Sequence, residues 1–223
     1  NVATIAIRKP FIMHLFKCAD ADIFHAHEGR SCHFAQLHHL ISSTPYLITR
    51  RIPNPPKQNF ITHRTYRKAK CIVALSQAIK HNLQQYDNQL PIEVIPSMFS
   101  NFSVSHSYVT QLQKKYQGKI VIGHIGALVN HHKGQQTIIN AAKLLQNSHP
   151  HVRFLLLGQG KDEHWLKQQA NGLNNIEFVG FIDNVGDYIK LFNLFVFPSW
   201  EEGLGSILLD IMQFQVPIIA SHV

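Results

Sequence analysis

The chain has 223 residues, 45% of them hydrophobic and 15% charged, an ordinary globular composition long enough for two small domains. No apolar run approaches the roughly 20 residues that cross a bilayer. Its opening, NVATIAIRKPF, lacks the order of a signal peptide. The start at Asn1 and the stop just after PIIA read as cut ends of a longer protein. The net charge of +8 is uneven: residues 1–117 carry 14 Lys and Arg against 5 Asp and Glu (+9), residues 118–223 carry 7 against 8 (−1). The basic half suits an anionic surface, or simply keeps the protein soluble. Cys18, Cys32 and Cys71 are an odd number without CxxC spacing, which reads as reduced, buried thiols of a cytosolic protein.

In chain order, short β-rich runs fall at 22–26, 46–50, 71–75, 92–96, 119–125, 152–158, 176–180, 194–198 and 216–220. Most are continuously apolar, as expected of strands covered on both faces. Helical spacing appears between them: SQAIKHNLQQY (76–86) with Ser76 as N-cap, GQQTIINAAKLLQ (134–146) and EHWLKQQA (163–170). The segment TRRIPNPPKQN (49–59) is too rich in proline for a helix or central strand and reads as a surface loop. This alternation predicts an α/β protein built from two Rossmann-like parallel-sheet domains. The aperiodic stretch SMFSNFSVSHS and the change in charge balance place the boundary between residues 1–105 and 106–223.

Three turns carry chemistry. The first, DIFHAHEGRS (22–31), is a strand ending in a polar turn that opens a helix. Its His25 and His27, with Cys32 and His33 near, fit no standard zinc spacing, and His14 with Cys18 reads as a buried pair. The second, GHIGALVNHHKG (123–134), follows the first strand of the second domain. The third, PSWEEGLGSILLD (198–210), follows the strand at 194–197. Ligands of open parallel sheets lie outside the carboxyl ends of the strands. There, Gly203 and Gly205 let backbone N–H groups approach an anion, and a helix N-terminus favours negative charge. On a single helix Glu202 and Asp210 would stand about 12 Å apart and about 80° around the axis. That is too far for the paired carboxylates of a glycosidase, but suitable for gripping hydroxyls at two ends of one long anionic ligand. A nucleotide sugar has that shape. No G-x-G-x-x-G, P-loop or G-x-S-x-G occurs, which argues against an NAD enzyme.

The segment PSWEEGLGSILLDIMQFQVPIIAS resembles the signature of retaining GT-B-fold glycosyltransferases of the glycogen-synthase-like family (glycosyltransferase family 4 type). Glu202 matches the first acid of their E-x7-E motif, and Asp210 stands where the second Glu usually does. Met212 and Pro217 match, and Gln215 replaces a usual Gly. The likeness runs back through HVRFLLLGQGKDEHWL (151–166) and NNIEFVGFIDNVGDYIKLFNLFVFPS (174–199) and, less tightly, to residue 22. It implies metal-independent transfer of a sugar from a nucleotide-sugar donor, a UDP-sugar, to an acceptor hydroxyl with retained configuration. No other cofactor is implied. Glu202 would hold the donor sugar, Asp210 the ribose, and Gly203, Leu204, Gly205, Ser206 and Ile207 would face the diphosphate and sugar. Gly126 would line the turn, Phe181 would lie by the nucleobase, and Lys133 would neutralise the leaving diphosphate. His27 would point at the donor sugar. Ala127 sits where an Arg often falls, leaving Asn130, His131 or His132 as substitute donors. The implied acceptor is a glycan or lipid-linked glycan of the bacterial envelope, met on the cytoplasmic side of the membrane, with peripheral contact to anionic lipid and none to nucleic acid. The alternatives are a non-catalytic nucleotide-binding module derived from a transferase, and a GT-B-fold nucleotide-sugar epimerase.

Overall fold

The computed structural model describes residues 21–202 and 204–222. His14, Cys18, Gly203 and the first twenty residues of the basic half lie outside that range. The chain divides into two compact units, the first ending at Ser97 and the second opening at Met98.

The first unit holds a four-stranded parallel sheet in the order β1-β2-β3-β4: β1 Phe24–Ala26, β2 Tyr46–Arg50, β3 Cys71–Ala74 and β4 Ile92–Val94. Helices α1 (Gly29–Ser42), α2 (Phe60–Lys68) and α3 (Gln77–Tyr86) make the crossovers. Asn59 and Ser76 cap the last two, accepting from the amides of Thr62 and Ile79. A core of Tyr46, Ile48, Ile72, Ala74, Ile79 and Leu83 joins sheet to helices. Cys32 is buried in it, and burial pushes its thiol up to about 11, so it stays protonated at neutral pH.

The second unit holds a five-stranded parallel sheet in the order β7-β6-β5-β8-β9. Its strands are β5 Ile120–Ile125, β6 Val152–Leu157, β7 Ile176–Gly180, β8 Leu194–Phe197 and β9 Ile218–Ala220. Helix α4 (His106–Lys115) precedes β5, and between the strands run α5 (Asn130–Lys133), α6 (Gln135–Ser148), α7 (Glu163–Gln169), α8 (Gly186–Ile189) and α9 (Ile207–Gln213). Successive side chains of β6 alternate between two cores. Leu155 and Leu157 join Val121, Phe195, Phe197 and Ile211 on one face; Phe154 and Leu156 join Ile122, Ile138 and Ala142 on the other. That two-sided burial is why these strands read as continuous apolar runs.

The division between units falls ahead of the 105/106 boundary expected from composition. Residues 98–105 are held within the second unit by buried carboxylates: Ser100 N–H donates to Asp210 and Ser105 N–H donates to Asp187 at 2.6 Å. Among the described residues no helix is long and apolar enough to cross a membrane.

Candidate functional site

The strand order of the second unit decides where a ligand can enter. The chain steps from β5 outward to β6 and β7, then returns to the other side of β5 as β8. The crevice outside the carboxyl ends of β5 and β8 is therefore the topological switch point of the sheet. The two chemistry-bearing turns, 126–134 and 198–206, leave those two strand ends.

Backbone contacts fix the turns against each other. Trp200 N–H donates to the His132 carbonyl at 2.8 Å. Gly134 has φ +65°, and a Cβ there would stand 2.1 Å from the Pro198 carbonyl oxygen. Only glycine satisfies both demands, so this glycine serves a close backbone approach and not flexibility. On the other flank, the β6 exit turn packs under the β5 exit turn. A Cβ on Gly158 would meet the Gly126 carbonyl oxygen at 2.0 Å, and one on Gly160 would meet that of Leu128 at 2.3 Å. Asp162 accepts from Asn130 N–H, and the Asn130 side chain accepts from Gln136 N–H at 2.8 Å, capping α6. Asn130 is thereby committed to the frame.

Across the crevice Lys133 Nζ pairs with Glu202 Oε1, with 24% and 18% of their side chains exposed. The buried Ser199 hydroxyl donates to the same carboxylate at 3.2 Å. Gly126 lies along the Lys133 stem, where a Cβ would be 3.8 Å from Cδ. The Lys133 ammonium is also 5.4 Å from the centre of the Phe197 ring. Beyond Gly203, Gly205 takes φ +62° and lies where a Cβ would meet Phe197 and Leu208 at 3.2 Å. Leu204 and Ile207 are half-buried and Ser206 is exposed. Asp210, on the first turn of α9, is only 3% exposed. Its Oδ1 takes the Ser100 N–H at 2.5 Å and its Oδ2 stands 3.4 Å from the Ser100 hydroxyl. Phe181, just past β7, leaves 63% of its surface open at the same edge of the sheet.

Residues 119–223 match the family described as "Glycosyl transferases group 1". That span belongs to the group 1 glycosyltransferases. The group 1 segment thus contains both crevice turns and the Lys133–Glu202 pair. Among curated relatives, an uncharacterized glycosyltransferase of Methanocaldococcus jannaschii is 25% identical over 165 residues, covering 70% of this chain and 40% of the relative. CapM of Staphylococcus aureus, a capsular polysaccharide biosynthesis glycosyltransferase, is 27% identical over 169 residues, covering 68% and 43%. The chain thus spans less than half the length of these relatives. The crystal structure of Anabaena HepE with UDP-glucose superposes with a TM-score of 0.79 at 21% identity, covering 94% of this chain and 62% of that one. At that identity the likeness establishes the fold, which is GT-B-like: two parallel-sheet α/β units.

The first unit keeps its own candidate residue. His27 follows β1, exposed at the carboxyl end of the sheet, with its ring centre 4.1 Å from that of His25. Partial burial and then the Arg51 guanidinium hold its imidazole below the ordinary value, favouring the neutral form. His25 is fixed by Thr49 Oγ1 at 2.7 Å.

Sequence reasoning missed the support beneath the crevice in the group 1 segment. His124 is fully buried in β5, its Nδ1 donating to the Val196 carbonyl at 3.0 Å. Gln135 Nε2 reaches the His124 Nε2 at 3.3 Å and donates to the Ala127 carbonyl at 2.8 Å. These bonds tie β5, β8 and the 126–134 turn together. Nothing in the spacing of a single buried histidine signals this. Burial pushes the imidazole down to about 4, against the Val196 carbonyl, which favours the charged form; Lys133 adds to the lowering. The unfolded chain protonates His124 near 6.5 while the folded chain does not until about 4. Stability is therefore full above about pH 6.5 and falls as pH drops through that window, by about 1.4 kcal/mol per pH unit at most. Denaturant titrations at pH 7.5 and 5.5 should show that loss, and His124→Gln should flatten the dependence. An unchanged slope in the variant would assign the pH effect elsewhere.

Proposed function

We propose that the protein transfers a sugar from a nucleotide donor, a UDP-sugar, to an acceptor hydroxyl with retention of anomeric configuration and without a metal in the chemical step. The observation that carries this reading is the Lys133–Glu202 pair at the switch point of a group 1 fold. The pair sets a cation for a leaving diphosphate beside an acceptor of sugar hydroxyls. Glu202 would exchange part of its bond to Lys133 for donor hydroxyls as the diphosphate draws the ammonium away. The turn Gly203–Ile207 would face the diphosphate, with Gly205 needed for its left-handed backbone. A ribose hydroxyl would replace the long Ser100 contact on Asp210 Oδ2, while Ser100 N–H stays on Oδ1. Gly126 would leave room beside Lys133, Phe181 would offer its open ring to the base, and His27 would serve the donor sugar as a neutral hydrogen-bonding group.

In the transfer the bond from the anomeric carbon to the phosphate oxygen breaks. The acceptor oxygen bonds to the same face, and its proton passes to the departing phosphate. Charge stabilisation and positioning supply the rate. HepE is described in complex with UDP-glucose and CapM as a capsule biosynthesis enzyme, which supports a UDP-sugar and an envelope glycan or lipid-linked acceptor. Contact with an anionic membrane on the cytoplasmic side fits the first unit, whose α2 exposes Phe60 and Ile61 beside Arg64, Arg67 and Lys68.

One observation favours a second reading, a module that binds nucleotide without turnover: residues 126–134 contain Lys133 as their one Lys or Arg, with Ala127 in place of an expected Arg. Incubating the protein with UDP-glucose and following UDP release separates them. Slow hydrolysis to UDP is expected. Binding of UDP with no donor consumed, with or without glycan acceptors, would favour the module.

A further inference from the structure

We propose that His131, His132 and Glu201 form a site for a divalent transition-metal ion of the Zn2+ class, which clamps the turn after β5 to the turn after β8. The available ligand atoms of the three side chains all lie within 4.8 Å of one another. His132 Nδ1 and Glu201 Oε2 are already 3.1 Å apart, and the His131 and His132 rings meet edge to face with centres 4.2 Å apart. A tetrahedral ion with bonds near 2.0–2.1 Å separates its ligand atoms by about 3.4 Å, so one pair is in place and a side-chain rotation of His131 brings the third. The ion would replace the proton that His132 Nδ1 shares with Glu201.

The frame beneath these side chains is tied together by hydrogen bonds and close backbone contacts. The His132 carbonyl accepts from Trp200 N–H, Gly134 packs under the Pro198 carbonyl, and Asp162 and Asn130 cap the two helices that meet at the 126–134 turn. Two imidazoles and one carboxylate are a borderline donor set that suits Zn2+ and its neighbours, whereas Mg2+ and Ca2+ want all-oxygen shells. His132 immediately precedes Lys133, and Glu201 immediately precedes Glu202. A bound ion would therefore fix the backbone on both sides of the Lys133–Glu202 pair. Its role is positional, no step of the transfer passes through it, and the site stands on geometry independent of the proposed reaction.

The full chain, free of any affinity tag and stripped with EDTA, is titrated with Zn2+ by calorimetry, with Co2+ for its visible absorption and Mg2+ as a hard-ion control. One saturable Zn2+ site and Co2+ bands of low coordination number are expected, with no Mg2+ binding. H132A, H131A and E201Q, at exposed or half-exposed positions, should each weaken Zn2+ at least tenfold. Circular dichroism checks the fold of each variant, and E201Q keeps the size of the side chain. Replacing a separate histidine pair, His149 and His151, should leave affinity unchanged. The proposal is overturned if the wild type shows no saturable Zn2+ site, if H132A and E201Q bind within twofold of it, or if loss of His149 and His151 abolishes binding.

Discussion

Glu202→Ala should lower affinity for UDP-glucose by about 10- to 100-fold and leave affinity for UDP unchanged or slightly raised. The asymmetry follows from the ion pair. The Glu202 carboxylate and the Lys133 ammonium neutralise each other in a half-buried setting, with the Ser199 hydroxyl as a second donor to the acid. Deleting the acid removes a charge-assisted hydrogen bond to the sugar hydroxyls, contributing about 1.5–3 kcal/mol. It also leaves Lys133 without its counter-charge beside Ser199 and Phe197, so an entering diphosphate meets a more positive turn. UDP carries no sugar and feels only the second effect. Paired calorimetric titrations of UDP and UDP-glucose read the difference directly. Equal losses for both ligands would remove the sugar role from Glu202 and make it a structural partner of Lys133.

Lys133→Ala should reduce the rate of donor cleavage by about 10²- to 10³-fold, with a smaller change in donor affinity. Charge develops on the phosphate as the sugar bond breaks, and a positioned cation in a partly dry site is worth several kcal/mol there. Residues 126–134 contain no other Lys or Arg, so no second permanent cation in that turn shares the load. The substitution also strands Glu202, whose negative charge then opposes the leaving group, so the K133A/E202A double variant should be less damaged than the sum of its parts. Single-turnover UDP release is the measurement. A K133A rate within threefold of wild type would place the leaving-group cation elsewhere.

The sheets were legible in the sequence because their physics is local. In the second unit both faces of β5, β6 and β8 are covered, so each strand is an apolar run bounded by turn residues, and the expected and observed spans differ by one or two residues at the ends. Besides the single turns α5 and α8, the helices that went unread were α2 and α4, which are polar and short. HSYVTQLQKK buries little beyond Val109 and Leu112, and its place is set by distant contacts such as Tyr108 with Tyr188. The attachment of residues 98–105 was also hidden, because Ser100 meets Asp210 across 110 residues of chain. Composition can locate a break in pattern there but cannot say which unit the break belongs to.

The candidate site divides the same way. Glu202, Lys133 and the glycines stand out in the sequence because the proposed chemistry would need those residue types at the ends of strands. Their pairing could not, since Lys133 and Glu202 are joined only by the fold. The departure at Gln215 was visible, but its cost was not: the residue sits at φ +59°, a left-handed position where a side chain costs about 1 kcal/mol against glycine. Ala127 is a different kind of departure. Its carbonyl is part of the frame through Gln135, so the position keeps its structural use while lacking the cation.

The most direct measurement is electron density for UDP-glucose soaked into crystals of the protein. The two phosphates are expected between the turns 126–134 and 198–207, with Lys133 drawn onto the phosphate and Glu202 turned to the glucose hydroxyls. Density for the diphosphate at any other edge of the sheet, with the Lys133–Glu202 pair undisturbed, would contradict that expectation.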